Sequence, residues 1–358
     1  EVRVNPVKLE ETMMHFLLEH QLKNRRSLNF LILMESIVTA AKYIQHYYNL
    51  AALQGNLGEA GSTNVQGESQ MRLDLLAHQT VMHYLAESKQ VIEATSEEVT
   101  EEILLNEDGR YFLYFDPLDG SSNIKHSLPV GFLFGIGKRM LGGEEDYRLR
   151  RGREFIAAGM FLIPSGIFTL SLKDAGTWQF LLDSNGVYIR PTRIRFPESP
   201  RTWELSFNAG NTPTFSTPVQ NWIADHQPKY NFRYTGALAV DFHRLLHNGG
   251  MFMYPAIVNH PNAQKNRPEG KLRHMYECSV VAFIANEAGG MAVNEAGDDV
   301  LELQPKKRHQ RSALYVGSRE VVGSIREVLR DHVRAQKGDG GRVDVAAKTA
   351  DATGADVH

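Results

Sequence analysis

Hydrophobic positions recur at helical spacing near the start of the chain. Across residues 28–50 the apolar side chains of Leu31, Met34, Val38 and Ala41 fall on one stripe, which predicts an amphipathic helix. A glycine-rich connection over residues 55–68 follows, and its length is typical of a functional loop. A further helix is predicted over residues 69–88.

The middle of the chain changes to short apolar runs bounded by turn residues. These runs predict strands at residues 91–94, 111–115, 131–140, 155–163 and 167–172. Helical spacing returns near residues 237–247 and 277–288, and each of these segments ends at a Gly-Gly pair, a common helix stop.

Two stretches interrupt this regular pattern. Residues 189–200 contain three prolines and little periodicity, so we expect the boundary between two domains there, at residues 8–197 and 201–333. Residues 336–358 are rich in Gly, Asp, Ala, Lys and Thr and have no apolar face, which predicts a disordered tail.

Composition narrows the class of protein. A chain of 358 residues with 42% hydrophobic and 23% charged residues is typical of a globular protein with two domains. A net charge of -3 provides no general attraction to nucleic acid or acidic membranes. The longest helical candidate is interrupted by Glu35, short of the ~20 apolar residues of a membrane span. We therefore expect neither a nucleic-acid nor a membrane partner.

Cysteine usage and the first residues bear on the compartment. A single cysteine, Cys278, excludes an internal disulfide framework and is typical of a reducing compartment. Residues 1–11 lack the charged-then-apolar order of a secretory signal. We expect a cytoplasmic protein.

Acidic residues gather where the predicted strands end. Asp116 and Asp119, in the stretch FDPLDGSSN, directly follow one strand, and Glu97 and Glu98 follow another. An isolated DPLDG can be an ordinary turn. Acids after two different strands favour a site for hard divalent cations such as Mg²⁺, which prefer oxygen ligands.

Further polar residues extend this candidate site. Glu68 and Asp74 flank the start of a predicted helix, and Glu277 opens a later one. The backbone N–H groups of Gly120, Ser121 and Ser122 could hold a phosphate next to the acids. Sites for Mg²⁺ are often completed by the phosphate of a substrate.

These motifs resemble one known family. Seven motifs occur in the order found in class I fructose-1,6-bisphosphatases, and the resemblance covers residues 28–329. They are GSTNVQGE, SEE, DPLDGSSN, RYTGALAVDFHR, YP, GKLRHMYEC and EAGGMA. It implies a two-domain α/β (α+β layered) sugar-phosphatase fold, with stacked helix and sheet layers and the active site between the domains. It also implies metal-dependent hydrolysis of fructose 1,6-bisphosphate to fructose 6-phosphate and phosphate.

The resemblance assigns roles to the acids. It implies that two or more Mg²⁺ ions, or Mn²⁺, are bound by Glu68, Glu97, Asp116, Asp119, Glu277 and the carbonyl oxygen of Leu118. It also implies that Asp74 and Glu98, together with the metal ligand Glu97, form the catalytic set that orients and deprotonates the attacking water. Surface charges of a helix and a loop are the alternative explanation for Asp74 and Glu98.

The resemblance also assigns substrate contacts. Contacts to the reacting part of the substrate are matched by Asp119, Gly120, Ser121 and Ser122. Contacts to the sugar and its 6-phosphate are matched by Asn208, Tyr234, Tyr254 and Lys271. Arg233 matches a residue that reaches into the neighbouring subunit, which implies a homotetramer. Asn211 replaces a tyrosine of the family at this second phosphate.

Other functions remain open from the sequence. The runner-up substrates are sedoheptulose 1,7-bisphosphate and an inositol phosphate, and a catalytically inactive sugar-phosphate sensor is the non-enzymatic alternative. The acids expected from the family pattern are all present, which favours the enzyme.

The chain departs from the family pattern in two places. Many relatives bind AMP at a helix start that has a Thr-Gly-Glu run and a nearby Thr, where this chain reads SLNFL, with Leu28 in place of the glycine. Arg110 and Tyr111 keep the basic-aromatic pair of that site, whereas Gly137 and Lys138 replace Tyr-Arg. We expect weak or absent inhibition by AMP, because a bulky residue obstructs the approach of phosphate to the backbone.

The second departure lies beside the predicted phosphate cradle. Lys125 stands where the family usually has an acid. It either adds positive potential near the substrate or is a solvent-facing charge of a loop.

Overall fold

The structure is a computed structural model that describes residues 10–23, 27–63 without 55–58, 69–100, 103–139, 149–198 and 202–350. Side-chain surroundings are described for these residues outside 51–72 and 337–350. The helices are α1 Met13–Lys23, α2 Asn29–Gln54, α3 Arg72–Ser88, α4 Thr217–His226, α5 Leu238–Asn248, α6 Ser279–Glu287 and α7 Arg319–Ala350.

The strands form two large sheets and two small ones. They are β1 Glu59–Thr63, β2 Ser69–Met71, β3 Val91–Ser96, β4 Ile103–Leu104, β5 Tyr111–Asp119, β6 Val130–Lys138, β7 Phe155–Ile163, β8 Ile167–Leu172, β9 Gly176–Leu182, β10 Tyr188–Ile194, β11 Glu204–Ser206, β12 Asn231–Phe232, β13 Gly250–Tyr254, β14 Leu272–Arg273, β15 Met291–Val293, β16 Arg311–Ser312 and β17 Leu314–Gly317. The eight-stranded sheet has the order β10-β9-β8-β7-β6-β5-β3-β4, and the five-stranded sheet has the order β12-β11-β13-β17-β15.

Helices and sheets alternate in five layers. Helices α2 and α3 cover one face of the eight-stranded sheet, where side chains such as Phe115 and Phe134 are buried. The opposite face, with Phe112 and Leu133, packs on α5 and α6, which also contact the five-stranded sheet. Helices α4 and α7 cover the outer face of that second sheet, around Trp222 and Tyr315. The predicted layered fold of helices and sheets is confirmed.

Most helices and strands predicted from periodicity are present with small changes at their ends. Helix α3 starts at Arg72, after the short strand β2, and strand β5 continues beyond the predicted end to Asp119. Helices α5 and α6 stop before Gly249 and Gly289, whose φ values of 76° and 85° are the left-handed values expected of a glycine stop.

The proline-rich stretch at residues 189–200 differs from the expected irregular linker. Its first part belongs to β10, which lies at the edge of the eight-stranded sheet and pairs with β9. The pairing register shifts between Ile189 and Thr192, on either side of Pro191. A proline is accepted there because an edge strand with a bulge does not require its missing N–H group. The predicted division into domains at 8–197 and 201–333 remains a prediction.

The last described element is helix α7, which buries Val321, Val322, Ile325 and Leu329 and continues to Ala350. The expected disordered tail at residues 336–358 remains a prediction. Residues 351–358 lie outside the described part. Within the described helices, none has the length and apolar character needed to cross a membrane.

Candidate active site

A bulge at the end of strand β5 turns two carboxylates toward the same cavity. Asp116 pairs with Leu133 of β6, and Asp119 pairs with Gly131, so β5 contains one extra residue between the two pairs. In a regular strand, residues three apart point to opposite faces. Because the bulge reverses this alternation, both acids line one cavity. The Leu118 N–H donates to Asp116 Oδ1 at 2.9 Å and helps to fix the turn.

Strand β3 brings the second pair of acids to the same edge. It runs parallel to β5, and the Glu97 N–H donates to the Phe115 carbonyl oxygen at 3.0 Å. The turn after β3 is held by Ser96, whose hydroxyl accepts from the Glu98 N–H at 3.2 Å. The same hydroxyl lies 2.9 Å from Nδ1 of His78, a residue of α3. Glu97 and Glu98 therefore face the cavity from a fixed turn.

The third element with an acid is a π-helical turn, His274–Cys278, that leads into α6. Ligand oxygens of Asp116, Asp119 and Glu277 lie within 4.8 Å of one another, and all three residues are buried. Such turns are frequent at functional sites. The fold brings this turn next to β5, although more than 150 residues separate them in the sequence.

Burial and mutual repulsion change the protonation of these acids. Burial, and then the negative charge of Glu277, raise the pKa of Glu97 to about 8. Burial, followed by Glu97 and Asp119, raises the pKa of Asp116 well above its ordinary value. Burial also raises the pKa of Asp119 to about 7, although two backbone N–H groups act in the opposite direction. Without a counter-charge, the cluster therefore favours bound protons near neutral pH.

The helix α5 approaches Asp119 with its N-terminus. The Ala239 N–H donates to Asp119 Oδ2 at 2.7 Å, and the Leu238 N–H donates to Oδ1 at 3.2 Å. A Cβ atom at Gly131 would lie 2.3 Å from the Cβ of Ala239, and one at Gly120 would lie 2.4 Å from that of Ala237. These glycines therefore permit the close approach of the helix. Their role depends on contacts with residues more than a hundred positions away.

One functional residue escaped the sequence analysis. Arg273 is among the most buried side chains, with 2% exposure, and its Nε lies 3.4 Å from Glu97 Oε1. Its backbone N–H donates to Glu277 Oε2 at 2.6 Å. A buried arginine requires paired charge, so this residue offsets part of the negative charge of the cluster. Its position next to the Lys271 motif in GKLR was the only signal available in the sequence.

A cavity of about 470 Å³ joins these elements. The predicted residues that line it are Asp74, Glu97, Glu98, Asp116, Leu118, Asp119, Gly120, Ser121, Ser122, Asn208, Tyr234, Tyr254, Lys271 and Glu277. Additional lining residues, not predicted, are Gly236, Leu238, Phe252, Leu272 and Arg273. Arg233 is exposed and does not line it, and Glu68 lies outside the described residues.

Other residues that line the cavity offer neutral and positive donors. Tyr234 is 39% exposed, and burial of its ring, followed by Tyr254 and Asp241, raises its phenol pKa. The phenol therefore remains a hydrogen-bond donor at neutral pH. Lys271 adds a positive charge to the same cavity. The cavity thus combines a carboxylate cluster with neutral and positive hydrogen-bond donors.

The acid cluster fits a hard divalent cation. Its convergent ligand atoms are carboxylate oxygens, which suit Mg²⁺ or Mn²⁺ better than thiophilic metals. The raised pKa values of Glu97 and Asp119 point the same way, because a cation would provide the charge that the buried acids need.

Comparison with known proteins gives consistent results along the chain. The family model of the fructose-1,6-bisphosphatase N-terminal domain matches residues 11–192, and that of the C-terminal domain matches residues 196–330. A curated relative, a class 1 fructose-1,6-bisphosphatase of Syntrophus aciditrophicus (strain SB), is 55% identical over 330 residues, which are 91% of this chain and 99% of that protein.

Solved structures agree with these sequence matches. The fold is similar to the holo form of Leishmania major fructose-1,6-bisphosphatase, with a TM-score of 0.81 and 30% identity over 90% of this chain and 99% of that one. For the apo form, the TM-score is 0.77 and the identity 28%, over 90% and 100% of the two chains. From the two matching domains and the 55% identical relative, we conclude that this chain belongs to the class I fructose-1,6-bisphosphatase family.

Proposed function

We propose that this enzyme, a phosphoric monoester hydrolase, removes the 1-phosphate of fructose 1,6-bisphosphate and releases fructose 6-phosphate and phosphate. The observation that carries this proposal is one cavity lined both by a carboxylate cluster and by neutral and positive hydrogen-bond donors. Its acid cluster suits metal-dependent hydrolysis of one phosphate, and its tyrosines and lysine suit binding of a second phosphate that does not react.

The family is metal-dependent, and the acid cluster is the candidate metal site. Two or more Mg²⁺ ions would be held by Glu97, Asp116, Asp119, Glu277 and the carbonyl oxygen of Leu118. Glu68, in the loop before α3, would be a further ligand. When bound, such ions neutralise phosphate charge and stabilise the leaving oxygen. Mn²⁺ has similar ligand preferences and is the alternative metal.

Asp74 and Glu98 supply proton transfer in this proposal. Both line the cavity without belonging to the three-carboxylate cluster. One orients the attacking water and accepts its proton, and the other holds the water by a hydrogen bond. The Ser96 hydroxyl, which binds the Glu98 N–H, keeps the turn of Glu98 in place for this task.

The remaining lining residues bind the substrate. Gly120, Ser121 and Ser122 form a short turn next to Asp119 that would donate to the reacting phosphate. The sugar and the 6-phosphate would be bound by four other lining residues, Asn208, Tyr234, Tyr254 and Lys271. Tyrosine and lysine donors suit this purpose because they bind phosphate oxygens without competing for the cations.

Arg233 completes the substrate site from a neighbouring subunit in this proposal. Its side chain is exposed and lies outside the cavity of its own chain, as expected for a residue that acts across an interface. The proposed assembly is a homotetramer. The division into domains at residues 8–197 and 201–333 and a cytoplasmic location also belong to the proposal.

A substrate panel tests the reaction. Phosphate release with Mg²⁺ is measured for fructose 1,6-bisphosphate, sedoheptulose 1,7-bisphosphate and an inositol monophosphate at equal concentrations. We expect the highest kcat/KM for the fructose bisphosphate and loss of activity after removal of the metal by a chelator. Preference for the inositol phosphate, or binding without turnover, would favour the alternative functions.

A further inference from the structure

Residues 233–237 connect strand β12 to helix α5 and have no helix or strand of their own. We call them the connecting segment. It carries Arg233 and Tyr234, two of the proposed contacts to the non-reacting phosphate. Its backbone conformation therefore determines where both side chains lie.

Two side chains of α5 hold the backbone of the connecting segment. Both carboxylate oxygens of Asp241 accept from the Thr235 N–H, at 3.1 and 3.0 Å. The Arg244 Nη2 donates to the Arg233 carbonyl oxygen at 3.0 Å. The peptide groups on either side of Tyr234 are thus fixed by charged groups of one helix.

These two side chains are themselves held by charge pairing. Arg244 Nη1 lies 3.2 Å from Asp241 Oδ1, and its Nε donates to Glu204 Oε2 at 2.8 Å. Glu204 Oε1 accepts from Asn248 Nδ2 at 3.0 Å. Asp241 is fully buried, so its charge depends on these partners. The planar guanidinium, bound by two carboxylates, presents its remaining donor in one direction only.

The same helix also contacts the acid cluster of the cavity. Its first N–H groups donate to Asp119, as described above. Helix α5 therefore joins a proposed metal ligand at its N-terminus to the connecting segment through Asp241 and Arg244. Because both contacts are made by the first turns of one helix, the position of the connecting segment relative to Asp119 is fixed by α5.

We propose that Glu204, Asp241 and Arg244 form a positioning triad that sets Arg233 and Tyr234 for recognition of the non-reacting phosphate. This inference rests on the proposed function. The three residues of the triad are not among the described residues that line the cavity. The triad therefore acts through the connecting segment and does not touch the substrate.

The test compares Arg244→Met and Arg244→Lys with wild type on two substrates. Fructose 1,6-bisphosphate has the second phosphate, and fructose 1-phosphate lacks it. For Arg244→Met we expect KM for the bisphosphate to rise about tenfold with a smaller change in kcat, because one charge-assisted contact to the segment is lost. The kcat/KM for fructose 1-phosphate should change by less than about twofold.

Arg244→Lys separates charge from geometry. Lysine retains the positive charge beside Asp241 and Glu204 but cannot reach three acceptors with a planar fork, so an intermediate KM is expected. This variant also provides the measurement if Arg244→Met does not fold. Arg326→Met is the matched control, since Arg326 of α7 donates to the carbonyl oxygen of Gly297 and does not line the cavity.

Three results would overturn the triad. One is equal loss on both substrates, another is an unchanged KM for the bisphosphate in both variants, and the third is the same change in Arg326→Met. Hydrogen exchange of the peptide that contains Thr235 gives a readout independent of substrate. Faster exchange in Arg244→Met supports the triad, and unchanged exchange contradicts it. If wild type fails to hydrolyse the bisphosphate, the proposed function is wrong, while the exchange result still decides the triad.

Discussion

Strand β5 has a cavity at each end, and the two cavities differ in chemistry. At its C-terminal end lie Asp116 and Asp119 in the proposed active site. At its N-terminal end, Tyr111 lines a second cavity of about 580 Å³, whose other lining residues are Gln21, Ser27, Phe30, Lys138, Ile156, Leu172 and Lys173. The first cavity contains a carboxylate cluster, whereas the described lining of the second contains lysines and no carboxylate.

The difference between the two cavities indicates how well each accepts amino-acid substitutions. In the active-site cavity, Glu97 lies beside Arg273 and Asp119 accepts from N–H groups of α5, and a cation would balance further negative charge, so a single change there alters the charge balance. In the second cavity the lysines can be replaced by other donors without such a penalty. The first cavity fits the family pattern, and departures from that pattern at Leu28 and Lys138 occur near the second.

Helix α2 shows why AMP is expected to bind weakly in the second cavity. The Ser27 hydroxyl accepts from the Asn29 N–H at 3.2 Å and donates to Asn29 Oδ1 at 3.0 Å. One donor at the helix start is thus already used by the chain itself. Leu28 is 51% exposed at the same helix start, where a glycine would allow phosphate to approach the backbone.

The largest expected effect tests the acidic cavity. Asp119→Asn removes one charge from the cluster and keeps one of the two oxygens that accept from the N-terminus of α5. Turnover should fall by orders of magnitude, far more than the loss of a single hydrogen bond explains. Asp299→Asn is the control, because the Asp299 side chain also accepts from a backbone N–H, that of Leu301, but lies in a surface turn. Wild-type turnover of Asp119→Asn at saturating Mg²⁺ would contradict the metal assignment.

The charge balance of the acid cluster also predicts a pH dependence. In the folded, metal-free protein the pKa of Glu97 is about 8 and that of Asp119 about 7, whereas both are about 4 in the unfolded chain. Because the folded state binds more protons, the free energy of unfolding should fall as pH rises from about 4 to about 8. Mg²⁺ should remove this loss. Thermal unfolding of chelator-treated enzyme at several pH values, with and without Mg²⁺, measures both effects.

Arg233 tests whether the active-site cavity is completed by another subunit. Arg233→Ala should raise KM for the bisphosphate more than it lowers kcat, because binding to a non-reacting phosphate is lost. Arg334→Ala, another exposed arginine, is the control. Sedimentation of the active wild-type enzyme should show a tetramer. A fully active monomer would contradict the shared site.

The second cavity is tested by titration with AMP at sub-saturating substrate. We expect weak inhibition or none, because of Leu28 and the Ser27 cap. Tyr111→Phe, which removes only the phenol oxygen from the cavity, should give the same titration curve as wild type. Inhibition at low micromolar AMP that is lost in Tyr111→Phe would show that the site is functional despite its substitutions.

The smallest effect is expected at Lys125. This residue is exposed on the turn Ser121–His126 and does not line the active-site cavity, which favours the interpretation as a solvent-facing charge. Lys125→Asp should therefore change KM by less than about twofold at any ionic strength. A larger change that disappears at high salt would show that Lys125 contributes to the potential at the phosphate cradle.

Local patterns in the sequence predicted much of this site. Acids that follow β3 and β5 were visible because strand periodicity marks where each strand ends. Helix α1 was missed, since it buries only Met13, Leu17 and Gln21 and carries a weak apolar stripe. Strand β10 was missed because prolines usually exclude a strand, and only its edge position makes them acceptable.

Contacts across the fold could not be predicted from local patterns. The bulge that turns Asp116 and Asp119 to one side depends on pairing with β6. The pairing of Arg273 with Glu97, and of Asp119 with α5, joins residues more than a hundred positions apart. Such contacts follow from the packing of layers, about which a single sequence contains little direct information.

Whether the active-site cavity hydrolyses one phosphate and only binds the other is tested most directly by ³¹P NMR of the reaction with fructose 1,6-bisphosphate and Mg²⁺. The account predicts that the 1-phosphate signal disappears while the 6-phosphate signal persists, with inorganic phosphate formed in equal amount. Loss of the 6-phosphate first, or of both at similar rates, would contradict it.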